Sequence, residues 1–389
     1  MNGGVPLSVS SDEVPAVVVE SRQELKSVSV VIPSFRGSDR LVRLVSALAG
    51  SKYPSLEIIV VVDEPSEEVA SALSRIEGVR VVFNARRAGK VSALNTALRL
   101  SRGEVVVFLD DDVEVLDPLF IEKVVDGIKG FDIADIKKVV VGGGLLGKMV
   151  YIEYVATNFA SKLMARFAGR TVAINGAAFA ATRRALEEVG FFKPIISEDF
   201  DLAVRSFLKG HRFTYIGATE VYNYAPESWR KWYKQRKRWA VGLADWLQRY
   251  YRVGFRALAR MPHVLLPGLL ISLPSLVSTL LPFLLYNHTF AKTLYLALLS
   301  LSSVTAQFIP LAAILSINLQ IVYIIPLLAV LLAFSSWHFI ASRYVGMKSY
   351  LYLYPLYFLV YQPLWFTILL AGFIRVLVMR DRNIEDWVV

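Results

Sequence analysis

The chain has 389 residues, 43 Lys plus Arg against 33 Asp plus Glu, a formal net charge of +10, a hydrophobic fraction of 55% and no cysteine. The missing cysteine excludes disulfides, thiolate nucleophiles and cysteine metal sites, so a bound metal would meet oxygen ligands and suit a hard ion, Mg²⁺ or Mn²⁺. Residues 262–389 hold only six of the Lys plus Arg and three of the Asp plus Glu, and between Pro262 and Ser342 only Lys292 is charged. The first 261 residues therefore read as a charged globular domain and the remainder as membrane.

Residues 1–27 lack a basic region followed by an apolar run, so they read as a loosely ordered tail rather than a signal peptide. Val28–Pro33 is an apolar, β-rich run, and Leu41, Leu44, Val45 and Leu48 then recur at helical spacing until Gly50. Leu56–Val62 predicts a second strand, Glu67–Ile76 a helix, Val79–Phe83 a third strand, Lys90–Leu100 a helix and Glu104–Leu109 a fourth strand. Strands apolar throughout and alternating with helices imply a mostly parallel sheet covered on both faces. Such sheets bind ligands beyond the carboxyl ends of their strands.

Further on, Val139–Val141 and Val172–Ala181 predict strands, Tyr151–Phe167 has mixed amphipathic character, a helix begins at Ser197–Asp199 and "RFTYIG" is a late strand. The glycines Gly142, Gly144 and Gly147 have dinucleotide-fingerprint spacing, but they fall late in the chain without a clear helix-opening context, so that reading is rejected. Residues 228–260 carry ten Lys or Arg against Asp245 alone, and Arg249, Arg252, Arg256 and Arg260 make one basic face, as in helices lying on an anionic membrane surface. That assigns the basic excess to membrane lipid and leaves no role for nucleic acid. Four apolar segments follow, near 262–286, 292–316, 319–342 and 351–379, predicting three or four spans. The positive-inside rule puts the C-terminal Arg375, Arg380 and Arg382 in the cytoplasm, on the same side as the globular domain.

The domain plan is thus a tail at 1–27, a globular domain at 28–227, basic interfacial helices at 228–261, a membrane domain at 262–380 and a tail at 381–389. Within it, Asp110, Asp111 and Asp112 close an apolar strand, where like charges repel unless a cation compensates. Alternate residues of an extended segment point the same way, so Asp110 and Asp112 are candidates to share that cation beside a diphosphate. Asp63 and Glu64 end a neighbouring strand, where they can accept from a nucleobase and a ribose, and Lys90 can touch phosphates. Ser197 can cap a helix whose first turn holds Glu198 and Asp199; alternatively Asp199 is a general base, its proton affinity raised by Glu198 and by burial. Gln235, Arg236 and Arg238 can hold pyrophosphate while Trp239 stacks on a sugar face.

In order, "VIPSF", "VVDEPS", "GKVSALN", "FLDDDV", "SEDFDLAVR" and "QRKRW" resemble the motifs of inverting family 2 glycosyltransferases over residues 28–260. The last two, followed by apolar segments, are similar to the cellulose-synthase and hyaluronan-synthase branch. The resemblance implies a Rossmann-like α/β fold of the GT-A type, a minimal cellulose-synthase-like membrane part and a nucleotide-diphosphate sugar donor at the end of the first strand, Pro33 and Ser34. It implies that Asp63 or Glu64 reads the base, Asp110 contacts nucleotide and metal, Asp112 binds Mn²⁺ or Mg²⁺ and Asp199 is the base beside Glu198. By that resemblance "QRKRW" lies at the donor and acceptor channel. The layout is also similar to crenarchaeal membrane mannosyltransferases of N-glycan assembly, which implies GDP-mannose and a dolichyl-phosphate-type lipid acceptor. A processive UDP-sugar polysaccharide synthase, and a non-enzymatic membrane scaffold with a retained nucleotide fold, are the alternatives.

Overall fold

The computed structural model describes residues 26–260, 288–305 and 321–382, with a few single positions between 261 and 320. Nearly all of the predicted N-terminal tail, the apolar segment 262–286, the end of the segment 292–316 and most of the C-terminal tail lie outside the described residues.

The first half alternates as expected: β1 (Val28–Phe35), α1 (Asp39–Ala49), β2 (Leu56–Asp63), α2 (Glu67–Ser74), β3 (Val79–Asn84), α3 (Lys90–Leu100) and β4 (Val105–Leu109). Ser38 and Ser66 cap α1 and α2, each accepting a 3.3 Å hydrogen bond from the backbone N–H three residues on. The remainder runs β5 (Val113–Glu114), α4 (Phe120–Ile128), β6 (Ile133–Val141), α5 (Gly144–Leu163), β7 (Ala178–Thr182), α6 (Arg183–Val189), α7 (Glu198–Lys209) and β8 (Phe213–Tyr224). These strands form one eight-stranded sheet in the order β3-β2-β1-β4-β7-β6-β8-β5.

Strand periodicity divides the core. Val28, Val30 and Ile32 of β1 pack in one layer with Leu41, Leu44, Val45 and Leu48 of α1. Val31 faces the opposite layer with Leu94, Ala97 and Leu98 of α3. The sheet is parallel from β3 to β4. There β7 enters antiparallel to both β4 and β6, so residues 172–177, expected to begin a strand, form an irregular approach to a short β7. β5 and α4 follow directly on the aspartates and had no expectation. The triplet Gly142, Gly144 and Gly147 does lie between a strand and a helix, correcting the context on which it was dismissed, but it lines none of the cavities described below.

The basic stretch forms one helix, α8 (Trp229–Arg260), rather than several. After α9 (His288–Val304) and α10 (Ile321–Tyr344), residues Leu351–Val378 form a last helical stretch, α11, containing two π-helical segments. Leu327–Tyr344 and Leu351–Val378 are long and apolar enough to cross a membrane, by length and composition. α11 docks on α8 so closely that a Cβ built at Gly372 would fall 2.6 Å from Ala240 Cβ. A small residue there permits the approach.

Candidate active site

The C-terminal ends of β1, β2 and β4 open into a cleft of about 250 Å³, lined by Pro33, Ser34, Asp63, Lys90 and Asp110–Asp112. It lies at the ends of the adjacent β1 and β4, from which the chain runs on toward opposite edges of the sheet, to β2 and to β5, the switch point in strand order at which such sheets take ligands. Phe35, at the tip of β1, and Arg87, stacked 4.1 Å from its ring centre, also line the cleft. Phe35 was not foreseen, although its 38% exposure marks an aromatic placed for contact rather than packing.

Asp63 is buried and accepts hydrogen bonds from Ala88 N–H (2.9 Å), Gly89 N–H (2.8 Å) and Asn84 Nδ2 (2.8 Å). Its carboxylate holds the loop that leads to Lys90, which leaves little of it for a base. Glu64, at φ +49°, is more open and accepts from Arg87 N–H at 3.2 Å.

The aspartate triplet divides its work. Asp110 pairs with Lys90 Nζ at 2.8 Å, and the same ammonium reaches Glu198 at 3.0 Å. Against the cost of burial, Asp110, Glu198 and Asp199 hold Lys90 protonated well above its ordinary range. Asp111 accepts from Ser34 Oγ at the end of β1, and burial with the neighbouring Asp110 raises its pKa. In Asp112, enclosure in the cleft, then Asp110 and Asp111, push the carboxyl up to about 7.

Asp110 and Asp112 also line a second cavity of about 390 Å³, together with Asp199, Gln235, Arg238 and Trp239. Asp199 Oδ2 accepts from Gly176 N–H and Oδ1 from Phe200 N–H, both at 2.8 Å. A Cβ at Gly176 would fall 2.7 Å from Asp199 Oδ2, so only glycine lets the backbone deliver that bond. Burial, then the Glu198 charge, raise Asp199 to about 7 against Lys90 and the two N–H donors. Ser197 makes no side-chain cap, which removes the capping reading of this segment.

Of the "QRKRW" residues, Gln235, Arg238 and Trp239 reach the cavity and Arg238 lines the cleft as well. Arg236 corrects the expectation: it is fully buried, bonded to Glu153 Oε2 at 2.5 Å and to Tyr361 Oη at 3.2 Å. Its guanidinium stacks 4.0 Å from the Trp239 ring centre, between Trp232 and Trp365. It positions Trp239 and cannot reach a pyrophosphate. Glu153, Asn223 and Trp365, which also line this cavity, were not foreseen; only Glu153, a lone carboxylate in an apolar helix, carried a signal.

Among the described residues no three His, Asp or Glu cluster as a ready-made metal site. Two carboxylates flanking one cleft fit a hard divalent ion that completes its shell from water and diphosphate oxygens.

The mostly parallel sheet with carboxylates above its switch point defines a Rossmann-like GT-A domain. Residues 26–242 match the family model described as Glycosyltransferase like family 2, and the chain belongs to that family. A probable glycosyltransferase of Bacillus subtilis, YdaM, is 26% identical over 239 residues, covering 57% of this chain and 56% of its own. A poly-beta-1,6-N-acetyl-D-glucosamine synthase of Staphylococcus aureus is 26% identical over 227 residues, 56% of this chain and 55% of its own. The chain thus spans little more than half the length of the curated relatives it matches. A mannosyltransferase of Pyrobaculum calidifontis, solved with GDP-Man and Mn²⁺, superposes with a TM-score of 0.50 at 21% identity, over 59% of this chain and 65% of that one. That likeness is one of fold.

Proposed function

We propose that the protein is a membrane-bound inverting glycosyltransferase that moves a sugar from a nucleotide-diphosphate sugar, GDP-mannose, to a lipid-linked acceptor of the dolichyl-phosphate type. The observation that carries this reading is the shared cavity in which Asp199, oriented by two backbone N–H groups, faces Asp110 and Asp112. The acceptor oxygen attacks the anomeric carbon opposite the diphosphate, the bond from that carbon to the diphosphate oxygen breaks, and a hydroxyl acceptor's proton passes to Asp199 Oδ. Asp63 holds the Ala88–Gly89 turn, Glu64 and Phe35 face the nucleoside, and Arg238 faces the diphosphate. Asp110 and Asp112 would hold Mn²⁺ or Mg²⁺, which when bound neutralises charge gathering on the leaving group.

Membrane association is supported by α10 and α11, which leave Leu332 (70%) and Val378 (73%) among many outward, exposed apolar side chains that water does not favour. Phe255, Arg252 and Arg256 on α8 are likewise exposed, as is Arg249, which also pairs with Asp245 at 2.7 Å. We place the catalytic domain on the cytoplasmic side, where the basic residues of α8 meet anionic lipid. The test is a screen of nucleotide sugars with Mn²⁺ and extracted lipid, reading label transfer and the anomer formed. A retained anomer refutes the single displacement. The Staphylococcus relative favours a second reading, a processive UDP-sugar synthase; a ladder of products on a gel, instead of a single addition, would establish it.

A further inference from the structure

With 28 residues at about 1.5 Å each, α11 reaches about 42 Å, more than the roughly 30 Å hydrocarbon core of a bilayer. Its two ends are nevertheless fastened to the same globular domain. Ahead of it, Lys348 N–H donates to Tyr151 Oη at 2.7 Å, Lys162 Nζ to Tyr344 O at 2.7 Å and Lys137 Nζ to Gly346 O at 3.3 Å. Tyr350 then meets the Tyr151 ring edge to face. After it, Arg382 pairs with Asp245 of α8 at 3.0 Å and donates to Gln248 at 2.7 Å. That part of α8 is seated on α7, with Trp246 against Phe200 and Tyr250 Oη donating to Asp201. A helix that crosses a bilayer leaves its ends on opposite sides; α11 never leaves the domain.

The middle of α11 is polar on its inner side. Tyr361 Oη bonds both Glu153 and Arg236, and Trp365 lines the larger cavity of the site. Placing that ion pair and cavity at the depth of the hydrocarbon core is costly, whereas a helix lying along the domain keeps them in the domain. Tyr354, Tyr357, Tyr361, Gly372 and Val376 are buried on the inner side along the length of the helix, and Leu356, Leu364, Leu370 and Ile374 are exposed on the outer side. Arg343 and Lys348 precede the helix and Arg380 and Arg382 follow it. Basic residues favour the cytoplasmic side, so a crossing would strand one of these pairs outside and a helix lying flat keeps both within.

Resting on the reading of a membrane-bound protein with a cytoplasmic catalytic domain, we infer that α11 does not cross the bilayer. It lies in the plane of the cytoplasmic leaflet, its outer apolar side among lipid acyl chains and its inner side closing the cavity beside Glu153. Both its ends are cytoplasmic, and any crossing the chain makes lies ahead of Tyr344. The apolar composition that reads as a last span is instead the lipid-facing side of a helix whose other side belongs to the active site.

The chain has no cysteine, so each single substitution supplies the only thiol. Glu77→Cys, at an exposed turn before β3, marks the catalytic domain, and Lys348→Cys and Arg380→Cys, also exposed, mark the two ends of α11. The full chain is produced in bacterial membranes, and right-side-out and inside-out vesicles are treated with a membrane-impermeant maleimide. All three thiols should label in inside-out vesicles and stay protected in right-side-out vesicles until detergent is added. Labelling of Lys348→Cys and Arg380→Cys from opposite sides overturns the inference. Labelling of Glu77→Cys from outside overturns instead the cytoplasmic placement on which it rests. Nitroxides attached at Leu356→Cys, Leu364→Cys and Ile374→Cys, in vesicles containing phosphatidylglycerol, then report depth through their relative access to oxygen and to a nickel chelate. One shallow depth of about 5–10 Å at all three is expected. A depth greatest at Leu364 and least at the two ends, free access of the chelate at all three, or dipolar broadening from a second copy of the chain would each refute it.

Discussion

Gly176→Ala is the sharpest probe of Asp199 as the proposed base. The added Cβ would lie 2.7 Å from Asp199 Oδ2, so the carboxylate must withdraw from a backbone N–H that now sits at 2.8 Å. A hydrogen bond to a charged group contributes about 1.5–3 kcal/mol, and 1.36 kcal/mol corresponds to one pKa unit, so losing it raises the Asp199 pKa by about one to two units. From a starting value of about 7, set by burial and Glu198 against Lys90, the ionised fraction at pH 7 falls from about a half to between about a tenth and a hundredth. Transfer at pH 7 should then drop about five- to fifty-fold and recover as pH rises toward 9, because only the ionised carboxylate accepts a proton. The assay is the pH profile of kcat for sugar transfer at saturating donor. A rate reduced uniformly at every pH, or an unchanged profile, would refute the assignment of Asp199 as base.

Asp199→Asn should lower transfer to a hydroxyl acceptor by about 10²–10⁴-fold at every pH, with donor affinity by calorimetry kept. Because burial and Glu198 raise the folded-state pKa of Asp199 to about 7, a stability cost that is absent in acid builds up from about pH 4, where the unfolded carboxyl ionises, to about pH 7 and is constant above it. The Tm difference between Asp199→Asn and the parent should therefore widen in the variant's favour from pH 4 to pH 8, and a pH-independent difference would contradict it. Asp112→Ala should abolish the Mn²⁺ dependence of donor binding, and a titration identical to the parent's would remove it from the metal site. Arg236→Met strands Glu153 and Tyr361 and removes the cation stacked on Trp239, so a loss of about 3–5 kcal/mol and a lower Tm are expected; an unshifted melting curve would show the network to be dispensable. Gly372→Leu should prise α11 from α8 and reduce transfer, whereas full activity would mean that this docking is not required.

The parallel half of the sheet was legible because period and composition agree there. β1, β2 and β4 are runs rich in β-branched residues buried on both faces, β3 at the sheet edge is partly exposed, and each helix repeats apolar residues along one side, so α1 and α3 fall where the spacing places them. The antiparallel insertion was not legible: β7 is five residues of Ala, Phe and Thr, whose pairing with β4 and β6 is set by partners distant in sequence. At the site, the acidic residues announced themselves because clustered charge after an apolar strand is costly without a purpose. Phe35, Asn223 and Trp365 carry no such mark, since an aromatic or amide residue reads the same whether it packs or binds.

The residue order by itself determined the existence of a donor cleft, the acidic groups that furnish it and the division between a charged domain and an apolar C-terminal part, all of which follow from local pattern. Only the tertiary structure decided which acidic groups are spent on the fold and which face the cleft. Asp63 is turned to backbone N–H groups and Arg236 is sealed among indole rings, while Asp199 is aimed by a glycine 23 positions earlier in the chain. Sequence spacing specifies which face of a strand or helix a side chain leaves; what it then meets depends on non-local packing, and that packing sets its charge state and its role.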